Sequence, residues 1–152
     1  KERERVFEIR HKLPQLINEF LRQTNQIKVA SDIAVSDSKC REMYDYYKQV
    51  AKQADIDYVN FGHVGQNHLH FNFLPKNNQQ QAKAKEYLKK LCQKAAALGG
   101  SVSAEHGIGK IKKPYLEIMY AKEQLEEMAQ LKKVFDPHCL LGLDNIFDRN
   151  LL

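Results

Sequence analysis

The chain has 152 residues, which is long enough for one domain with a hydrophobic core and too short for two large ones. Its apolar fraction of 43% and charged fraction of 28% are typical of a globular protein, and no apolar run is long enough to span a bilayer. The lysines behind the net charge of +5 are spread over several predicted helices, and the sequence lacks the signatures of RNA-binding and DNA-binding proteins. We therefore interpret the positive charge as a solvated surface, and expect neither a nucleic-acid partner nor a transmembrane segment.

The three cysteines indicate the redox environment. They are far apart in sequence, and Cys40 and Cys92 fall on the apolar faces of predicted helices, so we expect reduced core thiols in a cytoplasmic protein. Their spacing gives no support to a cysteine-based metal site. The chain begins at Lys1, inside a predicted helix and without an initiator Met, which suggests a fragment of a longer protein.

The first half of the chain alternates between helix and strand. Apolar residues at helical spacing predict a first helix over residues 1–20, with a kink or a new first turn at Pro14. Inside this helix, the basic cluster at residues 10–12 is either a solvated helix face or an anion-binding surface. Residues 28–35 predict a short strand, and either Ser36 or Asp37 then caps a second helix with an apolar stripe. The stripe consists of Cys40, Met43, Tyr44, Tyr47, Val50, Ala51 and Ala54.

The second half begins with a β-hairpin. Residues 56–64 and 68–74 predict its two strands, and a polar surface loop then leads to a third helix, which the two glycines at 99–100 end. Residues 101–105 predict another strand, followed by a loop and a last helix that stops at the Asp-Pro pair 136–137. The order predicts an α+β fold in which an antiparallel sheet has helices packed on one face, in a ferredoxin-like layout. The inward positions of the last helix are Leu125, Met128, Leu131, Val134 and Phe135.

The hairpin carries the first half of a candidate site. With residues 66–67 as a two-residue loop, His63 faces His70 across the two strands. Alternation along the strand places His68 and Asn72 on the same face. Two imidazoles that close can share a metal ion, although a simple hydrogen-bonding pair of histidines is the commoner arrangement. The opposite, core-facing side carries Leu69, Phe71 and Phe73.

Glu105 and His106 supply the second half of the candidate site. They stand at the end of a predicted strand, and Gly107 and Gly109 let the backbone turn sharply after them. A carboxylate there could complete a His, His, Glu set, and three protein ligands with one open position are the pattern of catalytic metal sites. A histidine beside such a metal is available for proton transfer near pH 7. Taken alone, the Glu-His-Gly sequence is equally consistent with a solvated glycine-rich turn.

Together the two motifs resemble the C-terminal domain of FAD-linked oxidases and dehydrogenases of the vanillyl-alcohol oxidase type. That family includes D-lactate dehydrogenase, D-2-hydroxyglutarate dehydrogenase and the glycolate oxidase flavin subunit. Residues 62–72 resemble its Gly-His-x-Gly-Asp-Gly-Asn-Leu-His-x-Asn pattern, residues 105–109 its Glu-His-Gly-x-Gly, and residues 32–35 and 131–137 two further segments. The resemblance implies that residues 1–152 are a substrate, or cap, domain whose N-terminal FAD-binding domain is absent.

The resemblance implies a metal centre and a catalytic base. His63, His70 and Glu105 would hold a divalent metal, Zn or Mn. His106 would take the hydroxyl proton of a small D-2-hydroxy acid while a hydride leaves the α-carbon for FAD, which gives the 2-oxo acid. We expect this fragment alone to be inactive, because the hydride acceptor is bound mainly by the missing domain.

The resemblance also implies two substrate contacts. Arg10 matches an arginine in the family's first helix and would bind the substrate carboxylate, to which a guanidinium offers two parallel donors. Asn72 would contact the substrate hydroxyl group. Pro14 and Ala30 occupy the positions where contacts to a second carboxylate would be expected, so the identity of the 2-hydroxy acid stays open. The residues that bind the flavin, the electron acceptor and the oligomeric state stay open too, and a peripheral location at the inner membrane is the alternative to a cytoplasmic one.

Two departures from the family pattern keep other functions open. Residues 66–68 are Gln-Asn-His where the family has Asp-Gly-Asn, and residues 141–145 differ from the usual tail. A degenerate, non-catalytic binding or assembly domain on the same scaffold is therefore the alternative hypothesis. Metal-dependent hydrolysis is a third, because it also uses His and Glu ligands.

Overall fold

A computed structural model describes residues 2–152, so only Lys1, the first residue of the predicted first helix, lies outside the described residues. Within this range the chain forms five α-helices, four short strands and two 3-10 turns. No helix of the described range is long and apolar enough to cross a membrane. The helices and strands are α1 (Glu2–Gln23), β1 (Val29–Ala30), β2 (Ile33–Ala34), α2 (Asp37–Ala54), β3 (Tyr58–His63), β4 (His68–Phe73), α3 (Asn78–Ala97), α4 (Lys113–Met119) and α5 (Lys122–Phe135).

Strand β4 is the centre of the antiparallel sheet. It pairs with β3 along its whole length, and on its other side with β1 at one end and β2 at the other. An isolated antiparallel bridge between Ala34 and Ser101 extends the sheet beyond β2. The resulting order, from the Ser101 bridge through β1 and β2 to β4 and β3, is that of a ferredoxin-like sheet. The predicted α+β class is confirmed.

The main core lies between one face of this sheet and helices α2 and α3. Phe71 and Phe73 of β4 are at most 1% exposed, and Tyr47 of α2 stacks on Phe71 with ring centroids 5.2 Å apart. Leu91 and Ala95 of α3 are completely buried in the same core. Fully burying a large apolar side chain is worth roughly 1.5–3 kcal/mol. Because successive residues of a strand alternate, this anchoring turns the intervening side chains of β4 to the opposite face.

Helix α1 lies on that opposite face. Its Ile17 and Leu21 are buried and pack against the half-buried Val59 and Phe61 of β3. Pro14 lies inside α1 and does not begin a new helix, and Ile17 and Leu21 hold the C-terminal half of α1 on the sheet. The site-bearing face of β4 is therefore only partly covered.

The predicted strand over residues 28–35 is divided into two. Between β1 and β2, the Ser31 N–H donates to the Phe71 carbonyl oxygen, and the Ser31 hydroxyl oxygen accepts from the Phe71 N–H, each at 2.9 Å. A side-chain oxygen thus replaces one backbone carbonyl oxygen in the hydrogen bonding between the strands, and Asp32 follows directly after this interruption. The prediction of a strand over residues 101–105 is wrong beyond Ser101. The chain turns instead, and the Ala104 N–H donates to the Asp32 carbonyl oxygen.

The hairpin forms as predicted, but with a longer loop. Residues 64–66 make a 3-10 turn and Asn67 takes a left-handed conformation with φ of 52°, so the loop has four residues rather than two. His63 consequently pairs with His68, and His70 pairs with Phe61 instead of His63. The register differs from the expected one by an even number of residues, so the predicted faces are retained.

The C-terminal third differs from the prediction in its helices. The predicted loop before the last helix contains α4, whose Tyr115, Ile118 and Met119 pack against the main core. In α5, Leu125 and Ala129 are buried, and the helix ends before the Asp-Pro pair as expected. Helical spacing identifies the apolar side of a helix but not whether another element covers it, and several expected core positions are exposed. These are Leu131, Val134 and Phe135 of α5 and Tyr44 of α2.

Gly62 is expected to be essential for the close pairing of the hairpin. A Cβ atom at this position would lie 2.5 Å from the His68 carbonyl oxygen and 3.0 Å from the Leu69 Cα atom. We expect Gly62→Ala to force the two strands apart and to lower the free energy of unfolding by about 1–3 kcal/mol, as overpacked sites do. Urea unfolding measures the change. Gly65→Ala is the matched control, because nothing lies within 4 Å of its added Cβ, and a comparable loss in both variants would contradict the steric explanation.

Candidate metal and substrate site

Four imidazoles surround the carboxylate of Glu105. Its Oε1 atom lies 3.0 Å from His70 Nε2 and 3.3 Å from His106 Nε2. Its Oε2 atom lies 3.7 Å from His63 Nε2 and 3.8 Å from His68 Nδ1. Donor atoms that share one tetrahedral ion at about 2.1 Å are about 3.4 Å apart, so these separations suit neighbouring ligands of one cation.

Asp32 is a second, buried carboxylate beside this cluster. Its Oδ1 atom accepts a hydrogen bond from His68 Nε2 at 2.9 Å. Its Oδ2 atom accepts from Lys112 Nζ at 2.7 Å and from the His106 backbone N–H at 2.9 Å. Burial by itself would raise the pKa of Asp32, but the Lys112 ammonium and the His106 N–H hold that pKa well below its usual range. Asp32 is therefore a charged carboxylate that ties the sheet to the loop carrying Glu105.

His70 is the imidazole whose protonation the site perturbs most clearly. Burial lowers the pKa of His70, and the neighbouring His68 and His106 lower it further against the opposing charge of Glu105. The ring is therefore neutral near pH 7. A neutral imidazole is the form that binds a metal ion.

The residues fit a divalent cation in the chemistry of their donors. Four residues each offer one ligand atom, and these atoms lie within 4.8 Å of one another. The residues are Asp32, His70, Glu105 and His106. Imidazole nitrogen and carboxylate oxygen together suit Zn and Mn. This group shares His70 and Glu105 with the predicted ligand set, whereas the predicted His63 lies at its margin, 3.7 Å from Glu105.

Two cavities flank the cluster. One of about 430 Å³ lies between α1 and the hairpin and has Arg10 and His63 in its wall. The other, of about 370 Å³, is lined by Asn72 and His106, and His70 lines both. The cluster thus stands between two spaces that a small molecule could enter.

The predicted substrate residues lie in these walls. The Arg10 Nη2 atom is 3.4 Å from His63 Nδ1, and because a guanidinium only donates, that ring nitrogen is the acceptor. Asn72 is 2% exposed, and its side-chain amide donates to the His70 carbonyl oxygen at 3.0 Å. The structure thus brings the predicted Arg10 and Asn72 into contact with two of the predicted ligand residues.

Sequence reasoning missed the roles of Asp32 and Lys112. A signal was available for Asp32, since an acidic residue inside an apolar strand is buried and must be paired. Lys112 had no such signal, because it stands in a lysine cluster that sequence alone does not distinguish from a solvated surface.

Comparison with known proteins places this geometry in a family context. The family model described as FAD linked oxidases, C-terminal domain, matches residues 1–143. Glycolate oxidase subunit GlcD of Bacillus subtilis is 31% identical over 80% of this chain and 26% of that protein. D-2-hydroxyglutarate dehydrogenase of Xanthomonas citri is 40% identical over 62% of this chain and 21% of that protein. D-lactate dehydrogenase of Archaeoglobus fulgidus is 31% identical over 93% of this chain and 30% of that protein.

The chain thus spans between about a fifth and a third of the length of these relatives. Among solved structures, the 4-ethylphenol oxidase from Gulosibacter chungangensis in its isoeugenol complex is similar with a TM-score of 0.52. The similarity covers 84% of this chain and 25% of that one at 16% sequence identity. At this identity the likeness concerns the fold alone.

The ion pair between Asp32 and Lys112 is expected to stabilise the loop that carries Glu105. Asp32→Asn leaves a mostly buried ammonium without its carboxylate, and we expect the free energy of unfolding at pH 7 to fall by about 3 kcal/mol, the lower end for a broken buried pair. Because the folded-state pKa of Asp32 is lowered, its contribution is present above the ordinary aspartate pKa and is lost as the pH falls below it. Urea unfolding over a series of pH values tests both points.

The double variant Asp32→Asn, Lys112→Met is the control for this ion pair. It removes the unpaired ammonium together with the carboxylate charge, so we expect it to recover part of the lost stability. A gap between wild type and Asp32→Asn that stays constant down to about pH 2 would contradict the ion-pair explanation.

Proposed function

The chain belongs to the family of FAD-linked oxidase C-terminal domains, and from this premise we propose that it is the substrate-binding and metal-binding part of a flavin-dependent dehydrogenase. The proposed reaction oxidises a D-2-hydroxy acid to the 2-oxo acid, and the hydride passes to FAD held mainly by a separate N-terminal domain. The observation that carries the proposal is the convergence of four imidazoles and two carboxylates beside a cavity with Arg10 in its wall.

Arg10 is the proposed anchor for the substrate carboxylate. Its guanidinium reaches the cavity between α1 and the hairpin, and it already contacts the margin of the imidazole cluster through His63. A guanidinium binds a carboxylate with two parallel donors, which fixes both the position and the orientation of the substrate. Asn72, in the wall of the neighbouring cavity, is the proposed contact of the hydroxyl group.

His63, His70 and Glu105 are the proposed ligands of a divalent cation, Zn or Mn. Glu105 lies 3.0 Å from His70 Nε2 and 3.7 Å from His63 Nε2, and these distances and the lowered pKa of His70 support this assignment. When bound, the cation would supply Lewis-acid polarisation of the substrate oxygen, which makes the hydroxyl group more acidic.

His106 is the proposed general base. Its side chain is 58% exposed at the cavity, whereas His68 and His70 are nearly buried. Its Nε2 atom is held 3.3 Å from Glu105, and its Nδ1 atom lies 3.6 Å from Asp32. In the proposed step this ring accepts the hydroxyl proton while the C–H bond of the same carbon gives up a hydride. The two carboxylates stabilise the imidazolium that results.

The altered residues 66–68 do not disrupt the imidazole face. The 3-10 turn and the left-handed Asn67 close the hairpin with His63 and His68 paired, and both rings remain beside Glu105. This favours a working site over the alternative of a degenerate binding domain on the same scaffold.

Metal content provides the first test of the proposed function. We expect the full-length protein that carries this chain to bind one Zn or Mn per chain, and His70→Ala to lose it, because it removes the ligand nearest to Glu105. Elemental analysis of the purified proteins measures the content. His138→Ala, in the exposed C-terminal segment, is the matched control and should keep the ion. Wild-type protein without metal after loading and desalting would contradict the proposed centre.

The two roles on the substrate side predict different kinetic defects. In the full-length enzyme, His106→Gln should lower kcat by roughly 10²–10⁴-fold, as loss of a general base does, and leave the metal content unchanged. Arg10→Ala should act mainly by raising KM for the 2-hydroxy acid, because it removes a binding contact present before and during the reaction. Arg22→Ala, near the end of the same helix, is the control for Arg10. A His106→Gln enzyme with wild-type kcat would overturn the assignment of the base.

A further inference from the structure

We propose that His68 is a further ligand of the divalent cation, which it binds through Nδ1, and that Asp32 is the positioning residue that aims this nitrogen. The inference rests on the proposed function, because it adds a ligand to the same centre. His68 stands where the family pattern has Asn, so the family assignment does not provide this ligand. Nε2 of His68 is hydrogen-bonded to Asp32, and Nδ1 lies 3.8 Å from Glu105.

The first step concerns the proton on the His68 ring. The ring is 4% exposed, and its Nε2 atom lies 2.9 Å from Asp32 Oδ1. An ionised carboxylate can only accept, so Nε2 carries a proton, and Nδ1 is the nitrogen left to present a lone pair to an ion. Metal-binding histidines almost always donate their second ring N–H to a carboxylate, a carbonyl or water. Asp32 is the carboxylate that accepts this hydrogen bond from His68.

The second step concerns the direction of the free nitrogen. His68 Nδ1 lies 3.8 Å from Glu105 Oε2, close to the 3.7 Å between the same oxygen and His63 Nε2. The His68 ring also meets His70 edge-on, with centroids 4.4 Å apart. His68 Nδ1 thus faces the carboxylate on which the other proposed ligands converge, and its separation from that carboxylate suits two ligands of one ion.

Lys112 disfavours direct coordination by Asp32. Asp32 Oδ2 accepts from Lys112 and from the His106 backbone N–H, and Oδ1 accepts from His68 Nε2. A cation bound directly to Asp32 would lie close to the Lys112 ammonium, which is 2.7 Å from Oδ2, and the two positive charges would repel each other. Asp32 therefore acts on the ion through His68 rather than by direct contact.

Zinc affinity of the full-length protein tests the proposal. A chromophoric chelator competes for Zn²⁺ with wild type, His68→Asn, Asp32→Asn, His70→Asn and the control His138→Asn, and circular dichroism checks the fold of each variant. His68→Asn restores the residue type of the family pattern. We expect His68→Asn and Asp32→Asn each to weaken Zn²⁺ binding roughly 10–100-fold, and His138→Asn to leave it unchanged.

The outcomes separate this inference from the proposed function. If wild type binds no Zn²⁺, or if His70→Asn binds as tightly as wild type, the proposed centre itself fails and the inference fails with it. If His70→Asn loses the ion while His68→Asn keeps wild-type affinity, the inference alone is overturned. A loss in His68→Asn without a loss in Asp32→Asn would overturn the positioning role of Asp32.

A measurement on the unmutated protein covers the case in which His68→Asn does not fold. X-ray absorption at the zinc edge of the Zn²⁺-loaded wild type counts imidazole ligands through their multiple scattering. Three imidazoles are expected from His63, His68 and His70, whereas a count of two would overturn the proposal.

Discussion

The buried carboxylate of Asp32 is the constraint on which the arrangement of the site depends. A charge taken out of water is stable only when donors replace its hydration. The donors come from β4, through His68, and from the loop after Ser101, through Lys112 and the His106 backbone. That loop has a single bridge to the sheet and little regular structure of its own. Asp32 therefore holds Glu105 and His106 opposite the hairpin. Without it, the loop would need to pair with the sheet as a strand to be held there.

The two faces of β4 have different roles: one packs in the core and the other carries the polar side chains of the site. Phe71 and Phe73 fill the core beneath α2 and α3, and the alternate residues His68, His70 and Asn72 are turned to the other side, where α1 covers only part of the sheet. Rigid packing on one face thus holds the polar side chains of the other within a narrow range of positions. Burial and the neighbouring His68 and His106 lower the pKa of His70, so this ring is neutral, in a form that suits coordination.

The sequence predicts the parts of this molecule that depend on local pattern. Strand alternation is enough to identify which side chains of the hairpin share a face, and Glu105 and His106 are recognisable from their motif. The pairing of His63 with His68 is not predictable in this way, because it depends on a 3-10 turn and a left-handed Asn67 that the glycine-poor loop does not signal. Lys112 contacts Asp32, which is distant in sequence, and the exposure of Phe135 depends on whether a distant element covers it. The local hydrophobic pattern therefore does not predict either feature.

The hydrogen bond from Arg10 to His63 has a thermodynamic consequence. If His63 coordinates an ion through Nε2, its Nδ1 atom must carry the proton, and two N–H groups cannot face each other. The ion and the Arg10 hydrogen bond therefore exclude one another, so coordination releases the guanidinium towards the cavity. A carboxylate that draws Arg10 away strengthens ion binding by the same factor by which the ion strengthens carboxylate binding. The ion and the substrate carboxylate would then bind cooperatively through His63 and Arg10.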